Sequence, residues 1–179
     1  MINNKTYNNV INTLKNLGAV HQQITTVSTG DIYDIDLSKN TLFPLMHINP
    51  INVTAGQTFL TYNFQIFVMD LVSQDENWTQ TNFQSAEFLN NEQEVLSTNL
   101  QVCVDLVAML TNSVAQSEQG VNDINFPVYF DEATATSFEP FTERFDNLLT
   151  GWVFQVSIEV LNDYQSCDIP VVPDLGQGE

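Results

Sequence analysis

The side chains able to do chemistry are few in this chain, and their spacing favours no reaction. His21 opens a predicted strand, and His47 lies inside another near two prolines. Neither stands in a nucleophile motif such as G-x-S-x-G or a zinc motif such as H-E-x-x-H, so both read as surface or hydrogen-bonded strand residues. Asp31, Asp34 and Asp36 in the run GDIYDID suggest a calcium turn. The glycine precedes the run, however, and no glutamate follows at the twelfth position, which excludes an EF-hand loop. A turn entering a solvated strand accounts for the cluster. Glu132, Glu139, Glu143 and Glu159 offer carboxylate pairs of the kind glycoside hydrolysis needs, but among 22 acids such pairs arise by coincidence. The lone Arg144 is set among Glu139, Glu143 and Asp146, where a fork-shaped cation is expected to be ion-paired. Cys103 and Cys167 are too few for a disulfide framework and are expected to be reduced thiols made inside a cell. No catalytic residue, metal ligand or cofactor is therefore assigned.

The elements that position these residues are legible from periodicity. Tyr7, Val10, Ile11, Leu14 and Leu17 repeat at helical spacing, with Asn3 or Asn4 as a cap, Lys15 in the last turn and Gly18 as the left-handed stop. Strands are expected over 20–29, 32–37, 41–49 and 57–72, with Gly30-Asp31 as a turn and 50–56 as a connection. Leu60, Tyr62, Phe64, Ile66 and Val68 alternate with polar residues, predicting one buried face. A second helix over about 91–112 presents Leu96, Leu100, Cys103, Val107 and Leu110. Strands at 126–131 and 151–161 follow, the latter with Trp152, Phe154, Val156, Ile158 and Val160 on one side and Gln155, Ser157 and Glu159 on the other. The expectation is an α+β fold: an antiparallel sheet of about five to six strands with two main helices packed on one face. Residues 1–168 form a single domain in this reading, and 169–179, with Pro170, Pro173 and two glycines, an extended tail.

Composition narrows the function classes. The chain has 179 residues, 43% hydrophobic and 11% aromatic, enough for a sizeable core. It carries 22 acids against 4 Lys plus Arg, a net charge of −18. With Arg144, Lys5, Lys15 and Lys39 as the only cations, specific nucleic-acid recognition and adhesion to anionic lipid are both disfavoured. No run approaches eighteen apolar residues, so no membrane span is expected, and MINNKTYNNV has no apolar signal core. Every acid lies at or beyond Asp31, while the first thirty residues hold Lys5 and Lys15. In a head-to-tail ring, the slightly basic first helix of one copy would meet an acidic flank of the next.

The segment FEPFTERFDNLLTGWVF at 138–154, running into a long strand and then CDIP at 167–170, resembles structural proteins of tailed bacteriophages. The resemblance is to the head–tail or tail module of crAss-like and related Bacteroidetes phages, and FPLMHINP (43–50) and FVMD (67–70) fit it. The helix–strands–helix–strands order is similar to the tail-terminator, or tail-completion, fold. The resemblance implies no enzyme and no cofactor. It implies a virion protein, assembled in the host cytoplasm, that forms a homo-oligomeric ring. Its neighbours would be portal, connector or tail proteins, and DNA would pass through without specific binding. Lys5, Lys15, Trp78, Phe83, Phe138, Phe141 and Arg144 are the expected interface residues, since interface energy concentrates in aromatics and arginine outside a core. Each aromatic has burial within its own subunit as the competing expectation. The alternative function is a monomeric acidic domain binding a sugar or calcium through exposed tryptophan and acidic turns.

Overall fold

A computed structural model describes residues 7–31, 42–57, 59–72, 91–118, 128–130, 136–142 and 149–161. The chain runs α1 (Tyr7–Val20), β1 (Thr26–Thr29), β2 (Leu45–Ala55), β3 (Phe59–Leu71), α2 (Glu92–Glu118), β4 (Val128–Phe130), β5 (Glu139–Thr142) and β6 (Leu149–Leu161). The sheet order is β1-β2-β3-β6-β4, with β5 also on β6, so the fold is α+β as expected. All pairings are antiparallel except β1 with β2, which is parallel and lies at the edge. β4 and β5 share the outer side of β6 end to end, β5 against Thr150–Val153 and β4 against Ile158–Val160.

The period-2 pattern gives the sheet its two faces. Tyr62, Phe64, Ile66 and Val68 on β3, with Phe154, Val156, Ile158 and Val160 on β6, are buried in one cluster with α1 and α2. Leu60 and Trp152 pack against it. Helix α1 contributes Val10, Ile11, Leu14 and Leu17 to that cluster. Gly18 is not the stop of this helix, which continues to Val20. It is buried where α1 crosses the sheet, and a Cβ there would stand 2.5 Å from Met46 Sδ and 2.9 Å from Val27 Cγ2. The glycine serves close helix–sheet approach, and Lys15 accordingly falls short of the last turn.

Helix α2 is longer than expected and rotated. Its buried residues are Val95, Asn99, Val102, Cys103, Leu106 and Leu110, while Leu96, Leu100 and Val107 are half-exposed. The sequence is apolar on both flanks of the stripe, so periodicity alone does not fix the rotation. Over Glu92–Thr111 this helix is apolar and long enough to cross a membrane by length and composition, against the expectation above. Its stripe is instead packed on the sheet, and Trp152 Nε1–H donates to the Leu96 carbonyl at 2.7 Å.

Three strands differ from expectation. β1 covers only Thr26–Thr29 of the expected 20–29, because α1 runs on to Val20 and His21, expected to open this strand, lies in the turn that follows. β2 does not end at Asn49 but runs through Pro50 to Ala55, with a register shift between Pro50 and Asn52. β1 reaches only as far as Ile48, so no described neighbour requires the N–H that Pro50 lacks. The β5 strand was not expected, because Glu139-Pro140-Phe141-Thr142 is short and has a proline at its second position. The strand expected over 32–37 lies outside the described residues.

Candidate functional site

The face of the sheet away from the helices has two zones. At one end Leu45, Phe67, Met69, Phe141 and Leu149 form a second buried cluster, with Phe43 and Val153 packed on it. The other end is polar. Register places Asn49, Gln65 and Gln155 in one row across three strands, Asn52, Asn63 and Ser157 in the next, and Thr54, Thr61 and Glu159 in a third. Asn63 Nδ2 donates to Asn52 Oδ1 at 2.7 Å, and Ser157 Oγ donates to Asn63 Oδ1 at 2.7 Å. These side chains are half-exposed or exposed. The result is a hydrogen-bonded lattice of amides and hydroxyls with one carboxylate and no cation. Among the described residues such a surface offers a phosphate only neutral donors and no cation, so it is wet rather than adhesive.

Phe141 shows how the apolar zone is built. It stands opposite Gly151 on β6, which in turn faces Met69 on β3. Its ring meets Phe67 edge-on with centroids 5.8 Å apart. Strands spaced about 4.8 Å leave β5 and β3 about 10 Å apart, so the ring reaches over the bare position 151. A Cβ at 151 would collide with the Val68 carbonyl. Buried Thr150 fixes β5 by donating Oγ1–H to the Phe141 carbonyl at 3.0 Å. Phe138 packs on the helix-side cluster, edge-on to Phe154 at 5.4 Å. Phe138 and Phe141, expected at an interface, thus serve the core of their own chain, the competing expectation.

Of the other expected interface residues, Lys15 is half-exposed on α1. Lys5, Trp78, Phe83 and Arg144 lie outside the described residues, as do Asp34, Asp36, Glu132, Glu143 and Cys167. Glu139 stands opposite Val153, six residues along β6 from Glu159. That is about 20 Å at strand rise, too far for a glycosidase pair. Among the described residues no three His, Cys, Asp or Glu side chains are grouped to hold a metal ion. Cys103 is buried in the core, which pushes its thiol up to about 12, so it stays protonated and unreactive.

His47 carries the densest polar contacts. It is 2% exposed, its Nδ1 lies 2.8 Å from Ser28 Oγ, and its Nε2 lies 3.1 Å from the Gly30 carbonyl. The carbonyl only accepts, so Nε2 carries the proton and Nδ1 accepts from the Ser28 hydroxyl. Hydroxyl and ring nitrogen at this distance have the form of a nucleophile and its base. The ring is sealed, however, and its contacts tie β2 to β1 and the following turn. His21 is different: its Nε2 lies 3.5 Å from Asp105 Oδ2, linking the end of α1 to α2. The sequence marked His47 as a hydrogen-bonded strand residue, but nothing in the spacing singled out Ser28 as its partner. The parallel pairing that sets Ser28 opposite His47 is a long-range fact.

No protein-family model matches the chain, and no curated protein matches it in sequence.

Proposed function

We propose that the chain is a non-enzymatic structural component of a tailed-phage virion, forming a ring at the head–tail junction or in the tail and joining portal-proximal parts to the tail around the DNA channel. The observation that carries this reading is the polar zone of the sheet, on the face that no described helix covers. Its rows from Asn49 to Glu159 offer only amides, hydroxyls and a carboxylate, in a chain of net charge −18. A conduit for DNA must not grip phosphate. A surface without cations repels it, whereas a basic one holds it through counterion release. The phage resemblance of 138–154 supplies the assembly context, and the α+β architecture is compatible with it.

Within this proposal the ring contacts fall to Lys5, Lys15, Trp78, Phe83 and Arg144, since Phe138 and Phe141 are engaged in their own core. The partners are further copies of the chain and neighbouring portal, connector or tail proteins. Light scattering with negative-stain imaging, beside a gel-shift with duplex DNA at physiological salt, tests the reading. Rings and unshifted DNA are expected; tight DNA binding, or turnover of a substrate by the purified chain, contradicts it.

A further inference from the structure

The edge strand β1 is short, and backbone bonds tie its two ends to β2: Thr25 and Thr26 N–H donate to the Pro44 carbonyl and Gly30 N–H to the Ile48 carbonyl. It has four residues, none of them fully buried. Its pairing with β2 covers only Leu45–Ile48. On the helix side Val27 packs against the main core and lies near Gly18. On the opposite side the contact is polar: Ser28 Oγ to His47 Nδ1 at 2.8 Å, completed by His47 Nε2 to the Gly30 carbonyl at 3.1 Å. Gly30, at φ 138°, adopts a backbone conformation that L side chains rarely take, and this turn is where β1 ends.

We propose that the Ser28–His47–Gly30 contact is a proton-operated clasp, closing β1 onto β2 at neutral pH and releasing it on mild acidification.

The neutral imidazole fits its surroundings, with one nitrogen donating and the other accepting. A second proton places a positive charge in a ring that is 2% exposed and stands 6.3 Å, centroid to centroid, from Phe67. The groups facing the ring can be named by element. From β1 it is Ser28, from the turn the Gly30 carbonyl and Asp31, and from β3 Phe67. Leu45 and Asn49 are its neighbours on the same face of β2. Among these Asp31 is the charged group, and it is exposed. Burial outweighs the help from the Gly30 carbonyl and Asp31, so the imidazole is held below its ordinary value. Once β1 lifts away, the ring meets water and binds a proton more readily, so acid favours the open form. Opening bares the β2 edge at Leu45–Ile48. Beyond it Asn49–Ala55 has no partner strand on that side among the described residues. The Leu45–Ile48 stretch of β2, up to Pro50 with its missing N–H, then presents backbone donors and acceptors for an added strand.

The inference stands apart from the virion role and is tested without it. Hydrogen exchange of the β1 amides is measured at pH about 7.5 and about 5, corrected for intrinsic rates, in the wild-type chain and in His47→Gln. Glutamine donates and accepts as the neutral ring does but does not titrate. Wild-type protection of the amides that face β2, those of Thr26, Ser28 and Gly30, is expected to fall on the order of tenfold between the two values, as one linked proton allows. His47→Gln is expected to keep its protection. Protection independent of pH in the wild type, or the same fall in the variant, overturns the clasp. Should the variant not fold, nitrogen NMR of the wild-type His47 ring decides. An imidazole titrating below its ordinary value together with β1 release supports the proposal. One titrating at or above that value, or titrating while β1 stays protected, overturns it.

Discussion

Single residues decide where this fold is tight. Phe141 bridges two strands over Gly151, so Phe141→Ala removes a buried ring from the smaller cluster and is expected to cost about 3–5 kcal/mol in denaturant unfolding. Asn99 is the reverse case: it is 1% exposed, and its amide nitrogen has no hydrogen-bond partner among the described residues. Asn99→Leu keeps the shape and removes an unmet donor, so a gain of about 1 kcal/mol is expected, and a loss shows that the amide is needed. His47 and Asp70 make stability depend on pH in opposite directions. His47 binds its proton less readily when folded, so its contribution is complete above the ordinary histidine value and is lost as pH falls through the window below it. Asp70, half-buried and raised by that burial, destabilises the fold at neutral pH and ceases to do so as acid protonates it. Melting curves across pH for wild type and His47→Gln are therefore expected to diverge below about 6.5, the wild type falling faster. Curves that stay parallel contradict the assignment. At this scale the sequence was partly legible. It marked His47 as a bonded strand residue and Gly30 as a turn, but Ser28 and Thr150 acquire their roles only from partners distant in the chain.

Elements were legible wherever a strict period met one buried face. The alternations at 60–68 and 152–160 pointed to the helix-side core and lie there, because a one-residue slip would turn the whole set to solvent. Helix α2 resisted because apolar residues flank its stripe on both sides. Its rotation was set by what the sheet receives, Val102 and Leu106 in place of Leu100 and Val107. Gly18 was read as a stop for the same reason a glycine usually is, and its role in helix–sheet approach becomes visible only with Met46 and Val27 in place. Gly18→Ala is accordingly expected to cost about 1–3 kcal/mol by overpacking, although alanine is the better helix former. A neutral or stabilising result in thermal unfolding contradicts the close-approach role. Pro50 was read as a strand end, and only the short reach of β1 explains why β2 continues through it.

On the scale of the whole molecule, charge is the dominant physical fact. The first thirty residues carry +2 and the remainder −20, a polarity that suits a head-to-tail contact between the start of one copy and an acidic flank of the next. Lys5→Gln combined with Lys15→Gln is expected to weaken assembly at low salt and to matter little at high salt, as light scattering would show. An unchanged distribution of oligomers contradicts a role for these two lysines in the proposed ring. The α+β class and the helices on one face followed from the sequence, whereas the polar lattice on the other face emerged only when register aligned Asn52, Asn63 and Ser157. Whether this lattice faces passing DNA is the central claim, and cryo-electron microscopy of a particle containing the chain tests it most directly. The account predicts a coaxial ring of these α+β domains at the head–tail junction or in the tail, surrounding the DNA without side chains bonded to its phosphates. A map that places the chain outside the DNA channel, or shows it clamped to phosphates, contradicts it.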